Sequence, residues 1–367
     1  MKGSWNRIVC RLLILPPAVA FAAAASLAQT LPTPSVMQFP PLTPIAPFTP
    51  IAPQQSQSLP HRLPSGPALP TPESPEGQAA ASAATPADQQ NLDLAFGAYQ
   101  RGYYETALKE ALKRLATNKH DGVAMTLIGE LYDQGLGVKQ DDAEAVRWYA
   151  AGAKEGNVKA LFALGLAKLQ GKGVPKDLAG ATDLFRQAAA KNDPGALYNL
   201  GMMELRKTGG APDFKKAADD FGRAAEFGMS DAAYALAILY RNGRGVVRDD
   251  KIAALWMGRA AKENNIAAEV EYAIMLFNGI GVDKDEAAAA RLFLKAAASN
   301  NPVAQNRVAR LLVAGRGMKK NLVEAMKWHI LARAAGEKDP WLDEVLNKLT
   351  PEQKKQVQTA VHQYVAY

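Results

Sequence analysis

Glycine recurs at a fixed interval along the C-terminal part of this chain, at Gly137, Gly173, Gly209, Gly245, Gly281 and Gly317, each 36 residues from the next. A second series, Gly129, Gly165 and Gly201, continues at the same interval as Ala237, Ala273 and Ala309. A period of this length marks a solenoid, in which each unit is one supersecondary element that buries its apolar face only against its neighbours. The repeat therefore overrides the prior that 367 residues make two or three separate domains.

Each unit reads as a helix hairpin. Residues 124–134 place small and apolar side chains at helical spacing, which predicts helix A. Gly135 and Gly137 then break the chain, because glycine accepts the left-handed backbone that closes a helix. Asp141 is placed to cap helix B, and Glu144 three residues on suggests a capping box. Asp177, Asp213, Asp249, Asp285 and Asn321 occupy the same register. Helix B stops at Gly156-Asn157, Asn192, Gly228, Asn264-Asn265, Asn300 and Gly336. Aromatic residues make up only 7% of the chain, and alanine-rich composition with few β-branched residues favours helix over sheet.

These residues resemble the Sel1-like repeat, a relative of the tetratricopeptide repeat. The first unit carries its pattern as Ala124, Gly129, Tyr132, Gly135, Gly137, Val138, Asp141, Trp148 and Ala150-Ala151, and the fourth as Tyr240, Gly243, Gly245, Val246, Asp249, Trp256 and Ala260-Ala261. The resemblance implies an all-α, right-handed α/α solenoid and a role in protein–protein scaffolding. The expected organisation is a degenerate capping repeat at 89–123, six repeats at 124–340 and closing helices at 341–367, with Thr350 and Gln353 forming a capping box. The third unit departs from the pattern, with Lys207 at the first loop glycine and Gly209-Gly210-Ala211-Pro212 in place of the usual turn.

Residues 1–28 read as a secretory signal. Lys2, Arg7 and Arg11 precede an apolar run that ends in Ser26-Leu27-Ala28, which predicts cleavage after Ala28 and export to the periplasm of a Gram-negative bacterium. The alternative, an uncleaved inner-membrane anchor, is opposed by Pro16-Pro17 within a short run. Cleavage removes Cys10, the single cysteine, so no internal disulfide is expected. It also lowers the net charge from +7 to +4, too mild to argue for nucleic acid. Residues 29–88 hold 15 of the 23 prolines and read as an extended, disordered linker.

Chemistry-bearing motifs are missing from the sequence. No serine is followed three residues later by lysine, and no G-x-S-x-G occurs, so the alternative of a cell-envelope hydrolase finds no nucleophile motif. His61, His120, His329 and His362 lack a second ligand at metal-binding spacing, and no cofactor, metal or small-molecule substrate is expected. His329 occupies the register of Tyr149, Phe185, Phe221, Met257 and Phe293, which predicts a packing residue. The G-x-G pairs follow a helix and precede an acidic cap, unlike a phosphate loop.

Two surfaces are candidates for a protein or peptide partner. In tetratricopeptide relatives helix A lines the concave face, which here predicts an apolar groove of Phe162, Leu166, Leu169, Tyr198, Met202, Leu205, Tyr234, Ile238, Ile274 and Phe277. The alternative is that these residues pack between repeats. A basic ridge along the loop edge gathers Arg206, Lys207, Arg241, Arg244, Arg248, Arg316, Lys319 and Lys320, suited to an acidic protein or an anionic envelope glycan.

Overall fold

The computed structural model describes residues 94–206 and 210–365. The signal and linker readings, and Lys207 with them, lie outside the described residues. Sixteen helices and no strand occur among the described residues. A leading hairpin, α1 (Leu94–Gln100) and α2 (Tyr104–Thr117), precedes six regular ones. These are α3 (Gly122–Gln134) with α4 (Asp142–Lys154), α5 (Val158–Gln170) with α6 (Leu178–Ala189), and α7 (Pro194–Leu205) with α8 (Phe214–Glu226). They continue as α9 (Ser230–Asn242) with α10 (Asp250–Lys262), α11 (Ile266–Asn278) with α12 (Glu286–Ala298), and α13 (Pro302–Ala314) with α14 (Leu322–Ala334). Two further helices, α15 (Pro340–Asn347) and α16 (Pro351–Val365), close the order. From α1 to α14 each helix packs chiefly on the one before and the one after it in sequence, as a solenoid requires, whereas α16 skips α15 and packs on α14.

The aspartate series caps helix B as its spacing predicts. The Asp141 carboxylate accepts from the Glu144 amide at 2.9 Å, and Asp177, Asp213, Asp249, Asp285 and Asn321 accept in the same way at the following helices. The reciprocal half of the expected capping box is not made: the Glu144 carboxylate accepts from Arg147 at 2.8 Å, three residues along the same helix. A complete box forms at α16, where Thr350 and Gln353 exchange both bonds. Helix B ends in left-handed Asn192, Asn264 and Asn300, at φ near 60°, a conformation that asparagine tolerates better than most residues.

The two glycine series have different physical causes. A Cβ on Gly129, Gly165 or Gly201 would lie 2.7 Å from the ring of Tyr149, Phe185 or Phe221, so these glycines let the two helices of one hairpin close onto an aromatic side chain. In the second series the constraint comes from the preceding unit. Gly281 has φ +66°, and a Cβ there would overlap the Asp250 carbonyl at the start of α10; Gly173 and Gly317 meet Asp142 and Glu286 in the same way. These A–B turns thus rest backbone to backbone on the previous helix B.

The core between hairpins is built from fully buried alanines and one large residue per unit, Phe185, Phe221, Met257 or Phe293. Burying one phenylalanine is worth about 2–3 kcal/mol, so the aromatic column contributes much of the packing. His329, 0% exposed, occupies this column in the sixth unit, and its Nε2 lies 2.8 Å from Asp343 of α15. At the C-terminal end Asp339 accepts from Arg310 at 2.6 and 2.9 Å and from Asn306 at 2.8 Å, tying α15 to α13. Trp328 stacks edge-on against Tyr364 of α16 at 5.2 Å.

Candidate partner-binding surfaces

The apolar groove expected along helix A is closed by packing. Phe162, Leu166, Tyr198, Met202, Tyr234, Ile274 and Phe277 are buried, between 1% and 8% exposed. Leu169, Leu205 and Ile238 are half-buried against the same core. The reason is the angle at which successive hairpins meet. The Phe162 ring tip lies 2.7 Å from where a Cβ on Gly195 would stand, so it lodges under the first turn of the next helix A. Phe162 and Tyr198 also contact the aromatic column at 5.8 and 5.5 Å from Phe185 and Phe221. Most of these ten side chains are thus spent in the inter-repeat core, and Phe162, Leu169 and Met202 also border open space, in two separate pockets rather than one groove.

The basic ridge is also partly spent inside the array. Arg241 donates to buried Glu271 of the next unit at 2.8 Å, and Arg316 pairs with Glu286 at 2.5 Å while covering the Phe277 ring at 4.3 Å. The Arg316 bond is the main cause that holds the Glu286 carboxyl down at about 2. Arg244 lies over Phe214, and Arg248 pairs with Asp250 at 3.2 Å. Arg206, Lys319 and Lys320 are exposed. Arg241, Arg244 and Arg316 thus reach across to a neighbouring repeat, while Arg248 pairs within its own unit and, like Arg244, stays exposed.

An open cleft of about 530 Å³ crosses helix A of four successive units, from the later turns of α3 to the first turns of α5, α7 and α9. Its apolar parts are Phe162, Ala163, Pro194, Phe227 and Met229; Phe227, 52% exposed, projects from the turn before α9. Four carboxylates border it: Glu130 and Asp133 from α3, Asp193 at the cap of α7, and Asp231 in the first turn of α9. Lys159 is its lysine, and stands 5.9 Å above the Phe96 ring.

The carboxylates differ in how fully they are engaged. Glu130 accepts from the Tyr99 hydroxyl at 2.8 Å, and Asp133 is paired with Lys172 at 2.5 Å. Asp193 and Asp231 are held only by neutral donors, the Ala196 amide at 2.7 Å and the Asn265 side-chain amide at 2.8 Å. Burial pushes both carboxyls above the usual range, against the opposing pull of those hydrogen bonds and, at Asp193, of the nearby Lys159 charge. Burial, with Asp231 nearby, also raises the Tyr198 phenol. An ionised carboxylate raised by desolvation gains most from an added cation, since the pair forms in a weakly screened setting.

The sequence pattern did not single out this cleft. Its signal lay in variation at fixed register: Asp231 stands where other units have Val123, Lys159, Gly195, Ala267 and Val303. Among the described residues, no group of three or more His, Cys, Asp or Glu side chains is arranged to hold a metal ion, and no helix is long and apolar enough to cross a membrane.

Comparison with known proteins gives a consistent picture. The family model described as Sel1 repeat matches residues 122–157, 158–193, 194–226, 230–265, 266–301 and 302–337. The third match is shorter than the others, in the unit whose turn departs from the pattern. The crystal structure of a Sel1 repeat protein from Oxalobacter formigenes is 32% identical, covers 66% of this chain and 98% of its own, and superposes with a TM-score of 0.60. A protective antigen of uropathogenic Escherichia coli strains, c5321, described as displaying an SLR fold, is 25% identical over 72% of this chain and 64% of its own, with a TM-score of 0.46. No curated protein matches the chain.

Proposed function

Because the chain belongs to the Sel1-repeat family, whose fold serves protein–protein binding, we propose that it is an exported, periplasmic adaptor that grips a basic segment of a partner protein and serves an envelope signalling or assembly system. The observation that carries this reading is the cleft of about 530 Å³ in which Asp193 and Asp231, raised by burial and bonded only to neutral groups, face the open space beside exposed Phe227. A lysine or arginine of the partner would meet the two carboxylates, and its apolar neighbour would cover Phe227 and Met229. Export rests on the pattern of residues 1–28, and a non-catalytic role on the missing nucleophile motifs.

The test uses substitutions that the protein already tolerates at equivalent places. Asparagine caps helix A at Asn157, Asn265 and Asn301, and alanine stands at Ala267 in the register of Asp231. The Asp193→Asn/Asp231→Ala double variant should therefore fold as the parent does. In quantitative crosslinking pull-downs from the envelope fraction it should capture the parent's main partner at least about tenfold less, as expected for losing a buried charge pair. Undiminished capture, or a tagged chain found wholly in the cytoplasm, would refute the corresponding half of the reading.

A further inference from the structure

We propose that the irregular third unit carries an open apolar socket between α6 and α7, which takes one large apolar side chain from a partner polypeptide whose flanking residues are acidic. This rests on the scaffold reading but not on the cleft, with which the socket shares no residue. The inference begins with what the other units place there. One position past the second turn glycine stands Val138, Val174, Val246, Val282 or Met318, each half-buried. Val138, Val246 and Val282 pack on the cores between hairpins. In the third unit that position is Gly210, and Gly210, Ala211 and Pro212 are all exposed.

The residues beneath are correspondingly uncovered. Met203 is half-buried, whereas its equivalents Leu131, Ala167, Leu239, Met275 and Leu311 are buried. Thr182 is half-buried where Ala218, Ala254 and Ala290 are buried, and Leu178 is 45% exposed. Together with Leu169 and Met202 these side chains line a pocket of about 490 Å³. That is room for a side chain much larger than the missing valine, and methionine walls adapt to the shape of what enters.

Asn199 lines the same pocket and supplies an independent pointer to a ligand. It is 1% exposed, its amide donates to the Gly195 carbonyl at 2.8 Å, and its Oδ1 has no hydrogen-bond partner. A buried acceptor left unmade costs about 1–3 kcal/mol, so a ligand that brings an N–H donor into the socket recovers that cost. Tryptophan meets both requirements, with an apolar ring and an indole N–H. At the rim, exposed Lys176 and Arg206 favour acidic residues on either side of the inserted one, while the rim carboxylate Glu204 is already paired with Lys216.

Panning a random phage-displayed peptide library on the whole chain, followed by fluorescence anisotropy of the enriched sequences as synthetic peptides, tests this directly. The expected consensus is an apolar residue, with tryptophan foremost, beside aspartate or glutamate. Leu178→Asp should weaken these peptides at least about tenfold without moving the thermal midpoint, because aspartate stands in that register at Asp142 and Asp250. Asn199→Leu, with leucine at the equivalent Leu127, should remove the preference for tryptophan over phenylalanine. Enriched peptides that all ignore Leu178→Asp, including a set made up only of basic peptides lost in the Asp193/Asp231 variant, overturn the socket and leave the scaffold reading standing. Failure to enrich any peptide overturns both.

Discussion

Asp220→Leu should stabilise the array, most strongly at neutral pH. Asp220 occupies the helix B register that holds Trp148, Leu184, Trp256, Leu292 and Trp328 in the other units, so a carboxyl stands where the repeat puts a large apolar side chain. Its Oδ2 is buried without a hydrogen-bond partner, beside a gap of about 270 Å³ lined in part by Ala189, Ala190 and Leu200. Desolvation lifts the carboxyl from 3.8 to about 6, against Lys216 and Arg223 and with help from Glu204 and Asp219. At about 1.4 kcal/mol per pKa unit that rise corresponds to roughly 3 kcal/mol, and solvent reaching the half-buried side chain reduces it to about half. Filling the gap with leucine adds about 0.5–1 kcal/mol, for a total near 2 kcal/mol. The sign of the pH dependence follows from the raised value. As pH falls from about 6 towards 4 the folded chain takes up a proton before the unfolded chain does, so the parent gains stability over that window. Urea unfolding followed by circular dichroism should show the variant ahead by about 2 kcal/mol near pH 7.5, with the gap falling to roughly two-thirds near pH 5, because the gap-filling part does not titrate. No advantage near neutrality, or a gap that widens in acid, would refute the reasoning.

Gly281→Ala should cost about 2–4 kcal/mol in urea unfolding, because it adds a Cβ at positive φ against the Asp250 carbonyl, whereas Gly228→Ala, also at positive φ but in open space, should cost only about 1 kcal/mol. Equal losses would show that the backbone contact between units is unimportant. Asp339→Ala leaves Arg310 and Asn306 without their shared acceptor and removes the cap of α15, and should cost about 3 kcal/mol. Hydrogen exchange should show the loss concentrated in α15 and α16; uniform loosening would contradict it. The hydrogen bonds from Arg310 and Asn306 outweigh burial and hold the Asp339 carboxyl below its usual range, so its contribution is present near neutrality and fades as pH falls through that depressed value.

The sequence made the hairpins legible because their determinants are local. A capping aspartate acts on an amide three residues away, and a turn glycine declares itself by its register, so period and spacing suffice to place both. The expected groove misled for an equally physical reason. Helical periodicity identifies an apolar face on helix A, but not which neighbour covers it; that depends on the angle between hairpins, which lets Phe162 slide under Gly195. The irregular third turn is visible in the sequence, but that it uncovers a socket, and that Asp231 borders a cleft, is not, because these signals are departures within a column of equivalent residues. Asp231, Gly210 and Asp220 each differ from what their register otherwise holds, and only the packing shows which departures open a space.

The third unit gathers several such departures at its junction with the second. In a solenoid, stability is close to a sum of unit and nearest-neighbour terms, so a weak junction stays weak locally and is not compensated by distant units. Gly210 forfeits the apolar contact that the turn makes elsewhere, Asp220 forfeits a core side chain, and Asn199 leaves an acceptor unmade. Each loss leaves a specific vacancy with its own chemistry, while the clamps of the fourth to sixth units, Arg241 on Glu271 and Arg316 on Glu286, keep the rest of the array regular. Regular units are interchangeable in what they offer a partner. Recognition therefore has to be sought where the register is broken, and the geometry places those breaks in the third unit and in the acidic cleft that runs past it.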